Sequence, residues 1–272
     1  MNDKRQLSVQ FFEREYRAQD LLENIRALIA MHREGKLGGD RMPEDARPEG
    51  IEPSSRDNFH FLTLPMALNY QRNSYSLWES AAKAFLDEDT KHVFDPKAVI
   101  EMSESLLREM LCKHKVALQP TKHVETWRRL TETIANKFDG DLRQLFSQCD
   151  RDVVELRETV QKRDKKGFPY LSGPKIFNYW LHVIEHYTPL RLTNRSEITV
   201  APDTHIIQCS LKLGLMRGDF EKLAQNRALV SAEWKRVLSG TGIAPIDIHT
   251  PLWLWSRNGF PEIERNASGG VK

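Results

Sequence analysis

With 272 residues, 40% of them hydrophobic, and a net charge of +2, the chain is long enough for one large or two small domains around a buried core. Its 29% of charged residues nearly cancel, which excludes a strongly basic module that grips nucleic acid by bulk charge and requires the charge to be read locally. Cys112, Cys149 and Cys209 lie too far apart for the closely spaced four-cysteine set of an iron–sulfur cluster or zinc knuckle; with no secretory signal and no apolar run near the roughly 18 residues of a membrane span, a soluble cytoplasmic protein without metal is expected.

Leu21, Leu22, Ile25, Leu28 and Ile29 share one face at a 3.6-residue period and predict a helix. Residues 35 to 58 carry Gly38, Gly39, Pro43, Pro48, Gly50 and Pro53 with little apolar content, and read as a long loop or tether setting an N-terminal arm apart from the body. Helical pattern resumes over 59–70 and 75–85. Asp95 followed by Pro96 predicts a capped helix running to about Met110. Pro120 opens a helix with Val124, Trp127, Leu130 and Ile134, and Asp150 is the expected cap of one with Val153, Val154, Leu156 and Val160. Residues 189–200 lack sustained alternation and read as an extended loop with at most a short strand. Helices are expected over 205–213, 220–225, 231–238 and part of 246–255, so the fold class is all-α.

The stretch Asp164-Lys-Lys-Gly-Phe-Pro-Tyr-Leu-Ser-Gly-Pro-Lys175 follows one helix and opens another through Phe177, Trp180, Leu181 and Ile184, giving helix, hairpin, helix. A glycine before a helix start, here Gly173, lets backbone N–H groups approach a phosphate that the helix dipole favours. Lys162, Arg163, Lys165 and Lys166 add charge suited to a DNA backbone, a solvated helix end being the alternative. Lys175 stands in the first turn, where the dipole opposes an ammonium and favours the neutral amine needed for attack on a sugar carbon; a plain surface lysine is the alternative. Asp203 precedes an amphipathic helix with Ile206, Leu211 and Leu213. An N-cap carboxylate is held in direction, which also suits stabilising a positive sugar or accepting a proton.

Gly173-Pro-Lys-Ile-Phe-Asn178 followed by Pro202-Asp-Thr-His205 resembles the signature of the helix-hairpin-helix DNA glycosylase superfamily. The separation of 203 − 175 = 28 residues is most similar to the archaeal 8-oxoguanine DNA glycosylase branch, which lacks an iron–sulfur cluster. Leu68-Asn-Tyr-Gln71 with Trp78, and His249-Thr-Pro-Leu-Trp253, extend the likeness over about residues 60 to 255. The resemblance implies two helical lobes with an active-site cleft between them and a glycosylase core over 59–260; the arm and loop over 1–58 have no counterpart in it, and residues 261–272 are expected as a flexible tail. It implies Lys175 and Asp203 as catalytic residues, Gln71, His249 and Trp253 as base-binding residues, and Gly173, Lys165 and Lys166 as DNA contacts. A monomer would act without cofactor on double-stranded DNA, with no membrane partner, excising 8-oxoguanine and nicking the strand as a lyase. His249 stands where the family usually has an aspartate, and the second glycine of the hairpin is missing. Two alternatives therefore stay open: the same chemistry on another modified base, such as a hypermodified phage cytosine in antiviral defence, and a non-catalytic DNA-binding module. Lys113, Lys115, Lys122, Arg128 and Arg129 are further candidates for phosphate contacts.

Overall fold

The computed structural model describes residues 3–38 and 42–265, with side chains from residue 18 onward. It is all-helical: no strand forms among the described residues, and a single isolated bridge joins Asp152 to Thr193. The chain divides into two compact units, Arg41–Arg195 in the middle and Met1–Asp40 with Ser196–Lys272 from the two ends.

The terminal unit begins with α1 (Asp3–Arg33). Leu21, Ile25 and Leu28 are buried as the periodicity requires, and Leu22 and Ile29 pack beside them in a core shared with residues 200–255. The middle unit holds α2 (Arg56–Thr63), α3 (Ser74–Leu86), α4 (Pro96–Glu101), α5 (Glu104–Lys113), α6 (Pro120–Lys137), α7 (Arg143–Gln148), α8 (Val153–Glu158) and α9 (Pro174–Tyr187). The terminal unit resumes with α10 (Thr204–Lys212), α11 (Phe220–Gln225), α12 (Arg227–Leu238) and α13 (His249–Arg257).

Several boundaries depart from the periodicity for local reasons. The helix expected from Asp95 to about Met110 breaks at Met102, because Ser103 Oγ accepts from Leu106 N–H and starts α5 afresh. Arg128 takes up the carbonyls of Val99 and Met102 exposed by that break, at 3.2 and 2.9 Å. The cap of α8 is Asp152 rather than Asp150: its Oδ1 accepts from Val154 and Glu155 N–H at 2.7 and 3.1 Å. Asp150 and Arg151 instead have φ of 50° and 59°, and Arg151 N–H closes the end of α7 on the Phe146 carbonyl. Part of the expected tether is a packed segment. Pro43–Ala46 forms a 3₁₀ turn with Pro43 and Glu44 buried, and Arg47 Nη1 donates to the Ile51 carbonyl at 2.8 Å.

α1 is likewise integral to the terminal unit rather than an arm set apart. Of the tail, Ile263 packs against that core and Arg265 donates to Asn24 Oδ1 at 2.9 Å, while residues 266–272 lie outside the described residues. Trp234 anchors the core centre, its Nε1–H donating to Ser210 Oγ at 2.9 Å. Leu28, 1% exposed, sits among these side chains. Leu28→Ala should cost about 3 kcal/mol through lost burial and the cavity left behind. Urea denaturation checks this, and an unchanged midpoint would mean that α1 contributes little to the core.

Candidate active site

α9 carries the first group of candidate residues. Phe177, Trp180, Leu181 and Ile184 are fully buried along one face, and Trp180 Nε1–H donates to Thr63 Oγ1 of α2 at 2.8 Å. Lys175 lies on the opposite face, exposed, with no ion pair or hydrogen bond among the described residues. Gly173 is the N-cap with φ −67°, an ordinary backbone conformation, and supplies no side-chain cap, so the first N–H groups of α9 have no capping side chain. Space there is tight: a Cβ would meet the Tyr170 carbonyl at 3.1 Å, so the carbonyl would have to give by a few tenths of an ångström. Gly167 is more constrained still, since a Cβ would come within 2.5 Å of Thr133 Oγ1 on α6.

Between α8 and α9 the chain makes a π-helical turn (Thr159–Arg163), a 3₁₀ turn (Lys165–Gly167) and a bend. Phe168 and Leu171 are buried, Gln161 Nε2 donates to the Ser172 carbonyl at 3.1 Å, and Tyr170 adopts φ 58°. The basic run splits in two. Lys162 pairs with Glu158 at 2.6 Å and Arg163 with Glu155 at 2.9 Å, whereas Lys165 and Lys166 are exposed and unpaired among the described residues. Of the other expected phosphate contacts, Lys113 is held by Asp87 and Asp89, Arg128 by carbonyls, and Arg129 pairs with Glu132 at 3.6 Å. Lys115 and Lys122 remain unpaired and exposed.

Gln71 is exposed with φ 51°, in the turn before α3. Its neighbour Tyr70 stacks on Tyr170 with ring centroids 4.0 Å apart and planes 11° apart, which joins the Gln71 turn to the segment leading into Lys175. No spacing in the sequence signals that pairing.

A second contact on α9 comes from the packed segment. Tyr179 lies one turn beyond Lys175, and its hydroxyl donates to Glu44 Oε2 at 3.1 Å. Glu44 Oε1 is enclosed without a partner, and Trp78 faces the same carboxyl. Burial pushes the Glu44 carboxyl up to about 7, so it carries a proton in mildly acidic solution, and the Tyr179 hydroxyl is raised well above its usual value, again by burial first.

The terminal unit holds Asp203, His249 and Trp253. Asp203 is the N-cap of α10: Oδ1 accepts from Ile206 N–H at 3.0 Å, and Oδ2 has no partner among the described residues. His249 is buried at the start of α13. One turn on, the half-buried Trp253 has the Arg257 guanidinium 4.8 Å from its ring centroid and the His205 ring edge-on at 5.6 Å. His205 Nδ1 bonds Ser256 Oγ at 3.0 Å, and that hydroxyl donates to Gln208 Oε1 at 2.9 Å. With the Ser256 proton given to Gln208, Nδ1 is the donor in that contact. Burial, and after it the Asp203 charge, pushes the Cys209 thiol up to about 12, which makes it inert as a nucleophile. His205 and Arg257 were missed by sequence reasoning, although His205 lies two residues from Asp203 and Arg257 follows Trp253 at the four-residue spacing of helix neighbours.

Comparison with family models, with curated proteins and with solved structures yields no match. Among the described residues no group of three or more His, Cys, Asp or Glu side chains could hold a metal ion, and no helix is long and apolar enough to cross a membrane.

The Glu44 carboxyl generates a pH prediction. Its folded value of about 7 stands above the ordinary 4.5, so the folded protein holds a proton that the unfolded chain releases. Its contribution is fully present below about pH 4.5 and is lost as the pH rises through about 7, a change on the order of 3 kcal/mol. Thermal melting from pH 5 to 9 should show this loss in the wild type and a flatter profile in Glu44→Gln, which still accepts from Tyr179. Identical slopes in the two proteins would contradict it.

Proposed function

We propose that the chain is a DNA N-glycosylase of the helix-hairpin-helix type with β-lyase activity, acting on one modified base flipped out of duplex DNA, with 8-oxoguanine the first candidate. The observation that carries this reading is the start of α9: an exposed lysine without a counter-charge in the first turn of a helix whose leading N–H groups lack a side-chain cap. Such a helix start favours a phosphate beside the lysine. Asp203 supports it in the other unit, being directed by its cap bond and keeping one carboxylate oxygen available.

In this reading Lys175 Nζ, as the free amine, forms a bond to C1′ of the flipped nucleotide while the bond from C1′ to the base breaks. The base leaves with the bonding pair and takes up a proton. Asp203 stabilises the positive sugar and accepts the proton shed by the attacking nitrogen. Ring opening gives an imine between Lys175 and the sugar. Loss of a C2′ proton then expels the 3′ phosphate and nicks the strand, and water returns the free lysine. Gln71 supplies an amide that both donates and accepts, which suits reading a base edge, and Trp253 supplies a stacking face.

A second substrate class is favoured by His249: a histidine in place of the family's aspartate suits a base other than 8-oxoguanine, for example a hypermodified cytosine of viral DNA. Base release from duplexes carrying 8-oxoguanine, uracil, hydroxymethylcytosine or glucosylated hydroxymethylcytosine separates the two. One of these should be released by the wild type. Lys175→Gln should lose more than about 10³-fold in rate, and Asp203→Asn, which still caps α10, about 10²–10⁴-fold. Release by Lys175→Gln at the wild-type rate would remove the lysine mechanism, and binding without release on any duplex would leave a DNA-binding module.

A further inference from the structure

Gln71, which the proposed function uses to read a base edge, has an exposed side chain on a backbone bend with φ 51°. A left-handed conformation costs a non-glycine residue free energy, so the surrounding fold has to hold it there. Contacts on both sides of the bend do so. After it, Arg72 Nη1 donates to the Val116 carbonyl at 2.7 Å, and Asn73 caps α3 by accepting from Ser76 N–H at 3.1 Å. Before it, the Tyr70 ring lies flat on Tyr170, with 4.0 Å between centroids and 11° between planes, and meets His123 edge-on at 5.5 Å.

Of these partners only Tyr170 belongs to the segment between α8 and α9. It is itself left-handed, at φ 58°, and its carbonyl accepts from Gly173 N–H at 2.9 Å, which closes the turn into α9. One residue thus has its backbone at the start of α9, where the proposed function seats a phosphate, and its ring against the residue before Gln71. A flat aromatic pair has a defined geometry, so a shift of the Tyr170 backbone is passed to Tyr70 and on to the bend.

We propose that Tyr170 positions Gln71: through its stack on Tyr70 it couples the start of α9 to the base-reading amide, so that seating a DNA phosphate at that start fixes the direction of Gln71. This deepens the proposed function and rests on its DNA-binding part and on the role of Gln71 in it. Coupling between two sites typically amounts to about 5- to 150-fold in affinity and is reciprocal.

The test compares Tyr170→Leu, which loses the ring and stays apolar, with Tyr170→Phe, which keeps the ring, each checked for fold by thermal melting. The first readout uses no DNA: amide hydrogen exchange at Asn69 and Tyr70, which donate to the Met66 and Leu68 carbonyls at 3.0 and 2.9 Å. These amides should exchange about two- to tenfold faster in Tyr170→Leu, the free energy of one aromatic pair, and at the wild-type rate in Tyr170→Phe. The second is a titration with an unmodified DNA duplex followed by NMR. The duplex should move the Lys175 and Ile176 amide resonances at the α9 start in all three proteins, and should slow exchange at Asn69 and Tyr70 in the wild type and Tyr170→Phe but not in Tyr170→Leu. A residue that only braced the fold would lower the melting temperature and leave this response to DNA alone. A folded Tyr170→Leu with wild-type exchange at Asn69 and Tyr70, or one in which the duplex still slows them, overturns the proposal. Where that variant does not fold, Tyr70→Leu removes the same stack from the other side, and wild-type exchange of its Gly173 amide overturns it. A wild type in which the duplex moves neither place removes the DNA-binding reading and this coupling with it; movement at the α9 start alone removes only the coupling.

Discussion

The face that α9 buries decides where its lysine stands. Phe177, Trp180, Leu181 and Ile184 have no solvent contact, and the Trp180 indole N–H is taken by Thr63. Each such side chain stabilises by about 1.5–3 kcal/mol relative to exposure. Rotating the helix to bury Lys175 would forfeit several of these contributions and also desolvate a charge. The lysine is therefore held outward, and Tyr179, one turn on, is held toward Glu44. A strong apolar constraint on one side of a helix fixes the chemistry offered on the other.

The electrostatics are local throughout. A net charge of +2 conceals a middle unit in which several cations are already engaged: Lys162 and Arg163 by glutamates, Lys113 by two aspartates, Arg128 by the carbonyls at the end of α4. Exposed ion pairs of this kind contribute little to stability, so their main effect is to subtract from the charge available to a ligand. Lys115, Lys122, Lys165, Lys166 and Lys175 are among those that remain, together with Arg72, whose guanidinium faces carbonyls and no carboxylate. Any nucleic-acid contact by this unit has to be argued from such individual residues and not from the sum.

The all-helical class and most elements were legible because an amphipathic helix writes its period into the chain: α6, α9, α10 and α11 lie within a residue or so of where their apolar spacing and caps put them. Boundaries failed where two caps compete within a few residues, as at Ser103 and at Asp152, since a cap is chosen by backbone geometry that residue type alone does not reveal. The residues around 43–46 looked like a tether because a glutamate in a proline-rich stretch normally faces water; only the tertiary fold supplies Tyr179 and Trp78 to receive it. The α9 lysine and the α10 cap were visible as motifs. The Tyr70–Tyr170 stack was not, because 100 residues separate its partners and neither aromatic has a spacing that marks it.

The central claim is that Lys175 forms a covalent imine with the sugar of a modified nucleotide. Reduction with borohydride during turnover, followed by proteolysis and mass spectrometry of the protein–DNA adduct, reads this atom by atom. The account predicts a sugar-phosphate remnant on the peptide containing Lys175 and on no other lysine. An adduct on a different amine, or base release with no adduct, would contradict it.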